Sequence, residues 1–319
     1  MIFLEGIDDH LNQYTLENVL ENYIHYLNTE VEISKATVSR YKSAISLLIK
    51  WLKENGKIKF FDEITSYDLH TYINKTNEFT GISAKAKTKA VLISAIKNLY
   101  KWAINQNIVS SDISRFIQKP KINELLPEIL LLEDATKFET SSMERKFSSR
   151  DNLITLLFLL RGLKVSELIS IDLKNVNLNN STIVYAGKGG ISRTIYLTQK
   201  LIMILEKYIP ERQAILVRRN KISEPALFIS EKRGTRLTQR AIQLIIEEIG
   251  QKAKVKTTPN KLRHTCAAML YNNGNGANIS EIAKLLGHKD PYSANKYTKL
   301  NKDIKIYPNL YSTNPLELT

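Results

Sequence analysis

Apolar residues return every three or four positions through most of this chain, and that period admits helices and little else. Val38, Tyr41, Ile45, Leu48, Ile49 and Leu52 form one such stripe, opened by Ser34 and followed by Gly56, where a C-terminal cap belongs. Side chains three and four apart share one face of a 3.6-residue helix, so each stripe must be buried against another element. Thr15 opens a second stripe, with Leu16, Val19, Leu20, Tyr23, Ile24 and Leu27. A shorter one starts at Thr65 or Ser66 and runs through Leu69, Tyr72 and Ile73. Ser83 opens a fourth, with Val91, Leu92, Ala95, Ile96, Leu99, Tyr100, Ala103 and Ile104 inward. Four such stripes, each with a capping residue at its head, predict a helical N-terminal domain.

Residues 118–128 carry two prolines and little periodicity, and read as a linker. The expected division is a domain over 1–117, the linker over 118–128, and a second domain over 129–319. The second domain opens with Leu153, Leu156, Leu157 and Leu160 behind Ser148 or Ser149, and Gly162 ends that helix. Two short runs then look like strands, Ser181–Tyr185 and Ser192–Leu197, with Gly187-Lys188-Gly189-Gly190 between them as a hairpin turn. Thr198–Val217 and Thr238–Gly250 read as helices, the latter offering Ile242, Leu244, Ile245, Ile246 and Ile249 to a core. The expected fold is mainly α, with one small antiparallel sheet in the second domain.

A formal net charge of +14 over 319 residues implies a polyanionic partner. Residues 1–33 hold seven acids and no Lys or Arg, whereas 34–120 hold 15 basic and 6 acidic residues, and 121–319 hold 31 and 19. Both expected domains therefore present positive charge. Lys85, Lys87 and Lys89 stand at early polar positions of the fourth helix; they form either a solvated face or a phosphate grip. Arg236 and Arg240 flank the start of the helix after Thr238. No stretch approaches the ~18 apolar residues of a membrane span. The acidic N-terminus lacks a signal peptide's basic region, and the lone Cys266 allows no intrachain disulfide, so a reducing, cytoplasmic setting is expected.

Chemistry concentrates between residues 257 and 300. Thr258-Pro259-Asn260-Lys261-Leu262-Arg263-His264-Thr265 comes first, then Leu285-Leu286-Gly287-His288, then Asn295-Lys296-Tyr297. An arginine fork matches two phosphate oxygens at once. A tyrosine beside cations can act as a nucleophile on phosphorus. No carboxylate or Cys/His cluster here would hold a metal. Each residue alone is more often packing than chemistry; the set and its spacing carry the signal.

That set resembles the C-terminal signature of the tyrosine recombinases, the phage integrase and Xer family: H-x-x-R-H, then L-G-H, then a tyrosine nine residues further. Tyr297 stands nine residues after His288. Upstream, Arg161-Gly162-Leu163-Lys164-Val165-Ser166-Glu167-Leu168 resembles the family's T-G-L-R-x-S-E-L segment. Lys188 matches a hairpin lysine in a G-K-G setting, and Leu126-Pro127-Glu128-Ile129-Leu130 resembles the L-P-x-x-L element after the family's linker. Two departures stand out: Asn260 replaces the first histidine, and Lys164 replaces the first arginine.

The resemblance implies a two-domain C-shaped clamp, with a helical core-binding domain and a mainly α catalytic domain. It implies a site-specific recombinase that cleaves and rejoins double-stranded DNA through a 3′-phosphotyrosyl intermediate, in integration, excision or dimer resolution. Tyr297 would be the nucleophile. Arg263, Lys164, His288 and Asn260 would contact the phosphate, Lys188 would protonate the leaving oxygen, and Glu167 would brace the site. Either Lys164 serves with lowered activity or Arg161 takes over. No metal and no cofactor are implied. The partner is DNA at the nucleoid, on which a homo-oligomer, a tetramer at synapsis, assembles with or without a second recombinase. The tail after Tyr297 either docks on the next protomer or folds back. A second reading keeps the scaffold as a DNA-binding accessory protein with weakened chemistry. A type IB-like topoisomerase or telomere resolvase is disfavoured by size and by the L-G-H spacing.

Overall fold

Helices dominate both units into which the chain divides, Met1–Glu124 and Leu125–Thr319. The computed structural model describes residues 14–80, 86–121, 126–186, 192–273, 278–287 and 295–298. The first unit holds α1 (Leu16–Thr29), α2 (Lys35–Trp51), α3 (Ser66–Thr80) and α4 (Ala86–Asn105). Thr15 caps α1 by accepting from the Asn18 N–H, and Ser34 caps α2 by accepting from the Thr37 N–H. Ser83, expected to open α4, lies outside the described residues. The four apolar stripes meet in one core, where Tyr23 packs on Trp102 with ring centroids 5.3 Å apart and Phe61 on Tyr100 at 5.0 Å. Gly56 is not the cap of α2. A π-helical turn over Leu52–Gly56 carries the chain one residue further, and Lys57 takes the left-handed cap position at φ 54°. A wider turn consumes an extra residue before the helix can stop.

The second unit runs α5 (Leu132–Met143), α6 (Ser148–Arg161), α7 (Val165–Ser170), a three-stranded antiparallel sheet, α8 (Gln199–Arg218), α9 (Gln239–Ala253), α10 (Pro259–Asn273) and α11 (Ile279–Leu286). The sheet order is β1 (Val176–Asn177), β2 (Thr182–Ala186), β3 (Ser192–Tyr196), with Ile183 opposite Ile195 and Tyr185 opposite Arg193. Helix α6 is the hub: it packs against α5, α8 and α10, and every residue from Leu153 to Leu160 is buried. A helix that is apolar all round belongs inside. Its buried Asp151 is held by Arg145 at 2.6 Å and Arg150 at 2.8 Å, the pairing a buried carboxylate needs. In α9, Ile242, Ile245, Ile246 and Ile249 are buried, but Leu244 is exposed. Leu244 falls between the buried rows of the helix, so the 3.6 period turns it outward. Among the described residues no helix is long and apolar enough to cross a membrane.

Candidate active site

The site is assembled where α6, α7, β3, α10 and α11 meet. Helix α6 ends at Arg161 because Gly162 takes the left-handed conformation, φ 57°. The chain turns there and re-enters a helix at Val165, with Lys164 as the N-terminal cap residue. Glu167 closes that turn: its Oε2 accepts the Lys164 backbone N–H at 2.8 Å. The carboxylate is buried, and three cations surround it. Lys164 Nζ and Arg193 Nη1 each lie 3.4 Å from Oε1, and Arg263 Nη1 lies 3.7 Å from Oε2. One carboxylate against three cations leaves positive charge for an anion.

Arg263 sits one turn into α10 and is 5% exposed. Its Nη1 donates to the Gly162 carbonyl and its Nη2 to the Leu286 carbonyl at 2.6 Å. Burial pulls the guanidinium below its ordinary pKa and Glu167 opposes the shift. The next residue, His264, places Nδ1 2.8 Å from the Tyr297 hydroxyl. Tyr297 lies on a single turn, residues 295–297, and is 1% exposed. Burial pushes its phenol up to about 12, while Arg263 pulls the other way. At neutral pH the group is therefore a phenol, whose attack on an electrophile requires a proton acceptor. The Leu126–Leu130 element is tied to the same helix, since the Leu130 N–H donates to Thr265 Oγ1 at 2.8 Å.

Of the two residues that compete for the first-arginine role, Lys164 is in the cluster and also reaches the Gly287 carbonyl at 3.4 Å. Arg161 is turned to β3, where its Nε donates to the Tyr196 carbonyl at 2.8 Å. Asn260 is exposed on the first turn of α10, on the same face as Arg263 and His264. Arg236 points inward, with Nη1 2.6 Å from the Ile169 carbonyl and Nη2 2.5 Å from Asp172 Oδ1. Arg240 and Lys87 are exposed, and Lys89 is half-buried. Lys188, His288, Lys85 and the tail from residue 299 lie outside the described residues. Among the described residues no group of three His, Cys, Asp or Glu side chains is placed to hold a metal.

Two residues of the cluster were missed in the sequence. His264 is the last letter of H-x-x-R-H, a position to which the resemblance assigns no task. Arg193 shares a strand face with Ile195 and Leu197, both buried. An arginine heading an alternating apolar row is the signal that would have found it.

The profile of the Phage integrase family matches residues 130–303, and that of the phage integrase N-terminal SAM-like domain matches 20–107. The chain is 30% identical over 292 residues to a protein named Tyrosine recombinase XerD from Oceanobacillus iheyensis, covering 90% of this chain and 95% of that one. It is 28% identical over 290 residues to a Tyrosine recombinase XerC from Bacillus pumilus, covering 90% and 93%. The fold is shared with the XerH site-specific recombinase bound to palindromic difH substrate, at TM-score 0.68 and 22% identity, covering 91% of this chain and 83% of that one. It is also shared with a lambda integrase dimer bound to a COC′ core site, at TM-score 0.67 and 17% identity, covering 93% and 81%.

Proposed function

The chain belongs to the phage integrase family of tyrosine recombinases, which carry out site-specific DNA recombination by strand transesterification, and from that membership we propose that Tyr297 is its nucleophile. The observation that carries the assignment is the Tyr297 hydroxyl, set 2.8 Å from His264 and next to the helix turn that bears Arg263. Tyr297 Oη attacks the scissile phosphorus. The new O–P bond is a 3′-phosphotyrosyl ester, and the bond to the 5′-oxygen breaks. The phenol proton passes to His264 Nδ1, which is within hydrogen-bond reach. Lys188 gives its proton to the departing 5′-oxygen, so the strand leaves as a hydroxyl. Arg263, Lys164, His288 and Asn260 face the non-bridging oxygens, where negative charge grows in the transition state. The phosphotyrosyl ester keeps the bond energy, so the reverse attack by a 5′-hydroxyl reseals DNA without ATP.

Lys164 makes this a slower site than one with arginine there, because an ammonium cannot grip two oxygens in one plane. The helical domain over 1–117 grips phosphates through Lys85, Lys87 and Lys89, and Arg240 adds to the grip from the second domain. The working unit is a homo-oligomer on double-stranded DNA, a tetramer at synapsis. The accessory-protein reading rested on Lys164 and Asn260 and is not favoured by family membership.

The test uses nicked duplexes carrying the half-site that the protein selects from a randomised pool. Wild-type protein should form a covalent adduct on a denaturing gel. Tyr297→Phe should form none while keeping half-site affinity within about twofold, because the ring still packs and only the attacking oxygen is lost. An adduct that persists in Tyr297→Phe moves the nucleophile elsewhere.

A further inference from the structure

The C-terminal end of α11 is bound by cations from three separate elements. Arg193 of β3 donates through Nη2 to the Lys284 carbonyl at 3.1 Å and to the Leu285 carbonyl. Arg263 of α10 takes the Leu286 carbonyl, and Lys164 before α7 reaches the Gly287 carbonyl. Four successive carbonyls at the negative end of a helix thus face three positive side chains, which satisfies groups a helix end leaves without partners. The same three side chains surround Glu167. Arg193 is the member that spans most: one guanidinium meets Glu167 at 3.4 Å and two carbonyls of α11. A guanidinium spreads five N–H donors over a rigid plane, which lets one side chain reach three acceptors set at its rim. Position 287 is shaped to admit that fork. A Cβ at Gly287 would run into the Arg193 guanidinium, and φ 63° there suits glycine independently.

We propose that Arg193 is a positioning residue for strand cleavage: it locks Glu167 to the last turn of α11 and thereby aims Arg263 and Lys164 at the scissile phosphate. The physical reason is that two of the three groups holding Arg263, Glu167 and the last turn of α11, are also held by Arg193, while the third is the Gly162 carbonyl. Without Arg193, Glu167 faces two cations instead of three, and the Lys284 and Leu285 carbonyls lose a donor. Arg263 then keeps the Gly162 carbonyl, but its other two contacts, Glu167 and the end of α11, lose a shared clamp. Arg193 also offers, beside Lys164, the guanidinium that position 164 lacks. This inference rests on the proposed function in one respect, the reading of Arg263 and Lys164 as contacts of the scissile phosphate.

The experiment compares Arg193→Gln and Arg193→Lys in the full chain on the same nicked duplexes. It reads single-turnover adduct formation at saturating DNA, half-site affinity and thermal unfolding. The expected result for Arg193→Gln is a cleavage rate lower by about 100-fold, the scale of an ångström-sized misplacement, with affinity within about twofold. Arg193→Lys should recover part of the rate, because it keeps the charge but serves fewer acceptors. Adding Lys164→Arg to Arg193→Gln should also recover part of the rate by restoring a fork against Glu167. An undiminished cleavage rate in Arg193→Gln overturns the proposal. So does a loss confined to affinity. If Arg193→Gln unfolds, Arg193→Lys decides, and full-rate cleavage by it overturns the proposal. Tyr297→Phe run alongside separates the two readings. An adduct that persists there overturns the nucleophile assignment and leaves the Arg193 comparison intact, because strand cleavage is still being read.

Discussion

Lysine and arginine at position 164 differ in geometry more than in charge. Lys164 Nζ stands 3.4 Å from both Glu167 Oε1 and the Gly287 carbonyl, distances a longer planar fork would shorten. The Lys164 side chain is 41% exposed, so the pocket has room for the larger group. Lys164→Arg should raise single-turnover cleavage by about tenfold, the worth of one added charge-assisted hydrogen bond of roughly 1.5 kcal/mol made in the transition state. A rate that falls or stays level would show that the site is fitted to lysine. A second effect at this scale concerns the phenols. Burial pushes Tyr72, Tyr185, Tyr208 and Tyr297 up to about 12, against about 10 in an unfolded chain. A raised folded-state pKa contributes stability that is complete below pH ~10 and is lost as pH climbs toward ~12, because only the unfolded chain ionises in that window. Thermal midpoints should be level in their tyrosine contribution from pH 7 to 9 and fall above pH ~10. A thermal midpoint that stays level from pH 9 to 12 would contradict it.

Helix ends, more than helix bodies, organise the site. Arg161 and Gly162 close α6, Lys164 opens α7, and Gly287 closes α11. Each end frees backbone carbonyls or amides that charged side chains then take. Gly162 is one of two tight glycines here: its φ is 57°, and an added Cβ would stand 2.6 Å from Leu286 Cδ2. Its carbonyl also receives Arg263. Gly162→Ala should cost roughly 1–3 kcal/mol, from backbone strain and crowding together. Urea midpoints measure this, and an unchanged midpoint would refute it. Cleavage should fall in the same variant, because the carbonyl that anchors Arg263 must move. The apolar stripes placed the helices well from sequence. Leu244 and Gly56 were misjudged at the ends and edges of helices, where one residue of register changes a side chain's surroundings.

At the scale of the whole molecule the dominant quantity is charge. The net +14 is spread over both units, with 15 basic residues in 34–120 and 31 in 121–319. A protein whose two units both meet DNA phosphates, with ~6–10 contacts, loses about 10³–10⁵ in affinity between 50 and 200 mM salt. Half-site affinity measured across that range should show this slope. A flat response would mean that most of the lysines are merely solvated. Arg236 should contribute nothing to the slope, because its guanidinium is committed to Asp172 and the Ile169 carbonyl. Arg240, exposed one residue into α9, should contribute.

The sequence by itself determined the helical class, the small sheet and the order of the chemical residues. Those properties are local: a 3.6 period, a capping serine, alternating strand residues and a nine-residue spacing are written in neighbouring positions. It also determined which side chains carry charge. What only the tertiary structure decided is which of them touch. Arg193 and Lys284 are 91 residues apart in the chain, and Arg263 and Gly162 are 101 apart, yet each pair is hydrogen-bonded. The choice between Arg161 and Lys164 as neighbours of Glu167 was likewise made by the turn at Gly162, which sends one side chain to β3 and the other to the site. Contacts of that kind depend on how helix ends pack across the core, and no local pattern of residues encodes them.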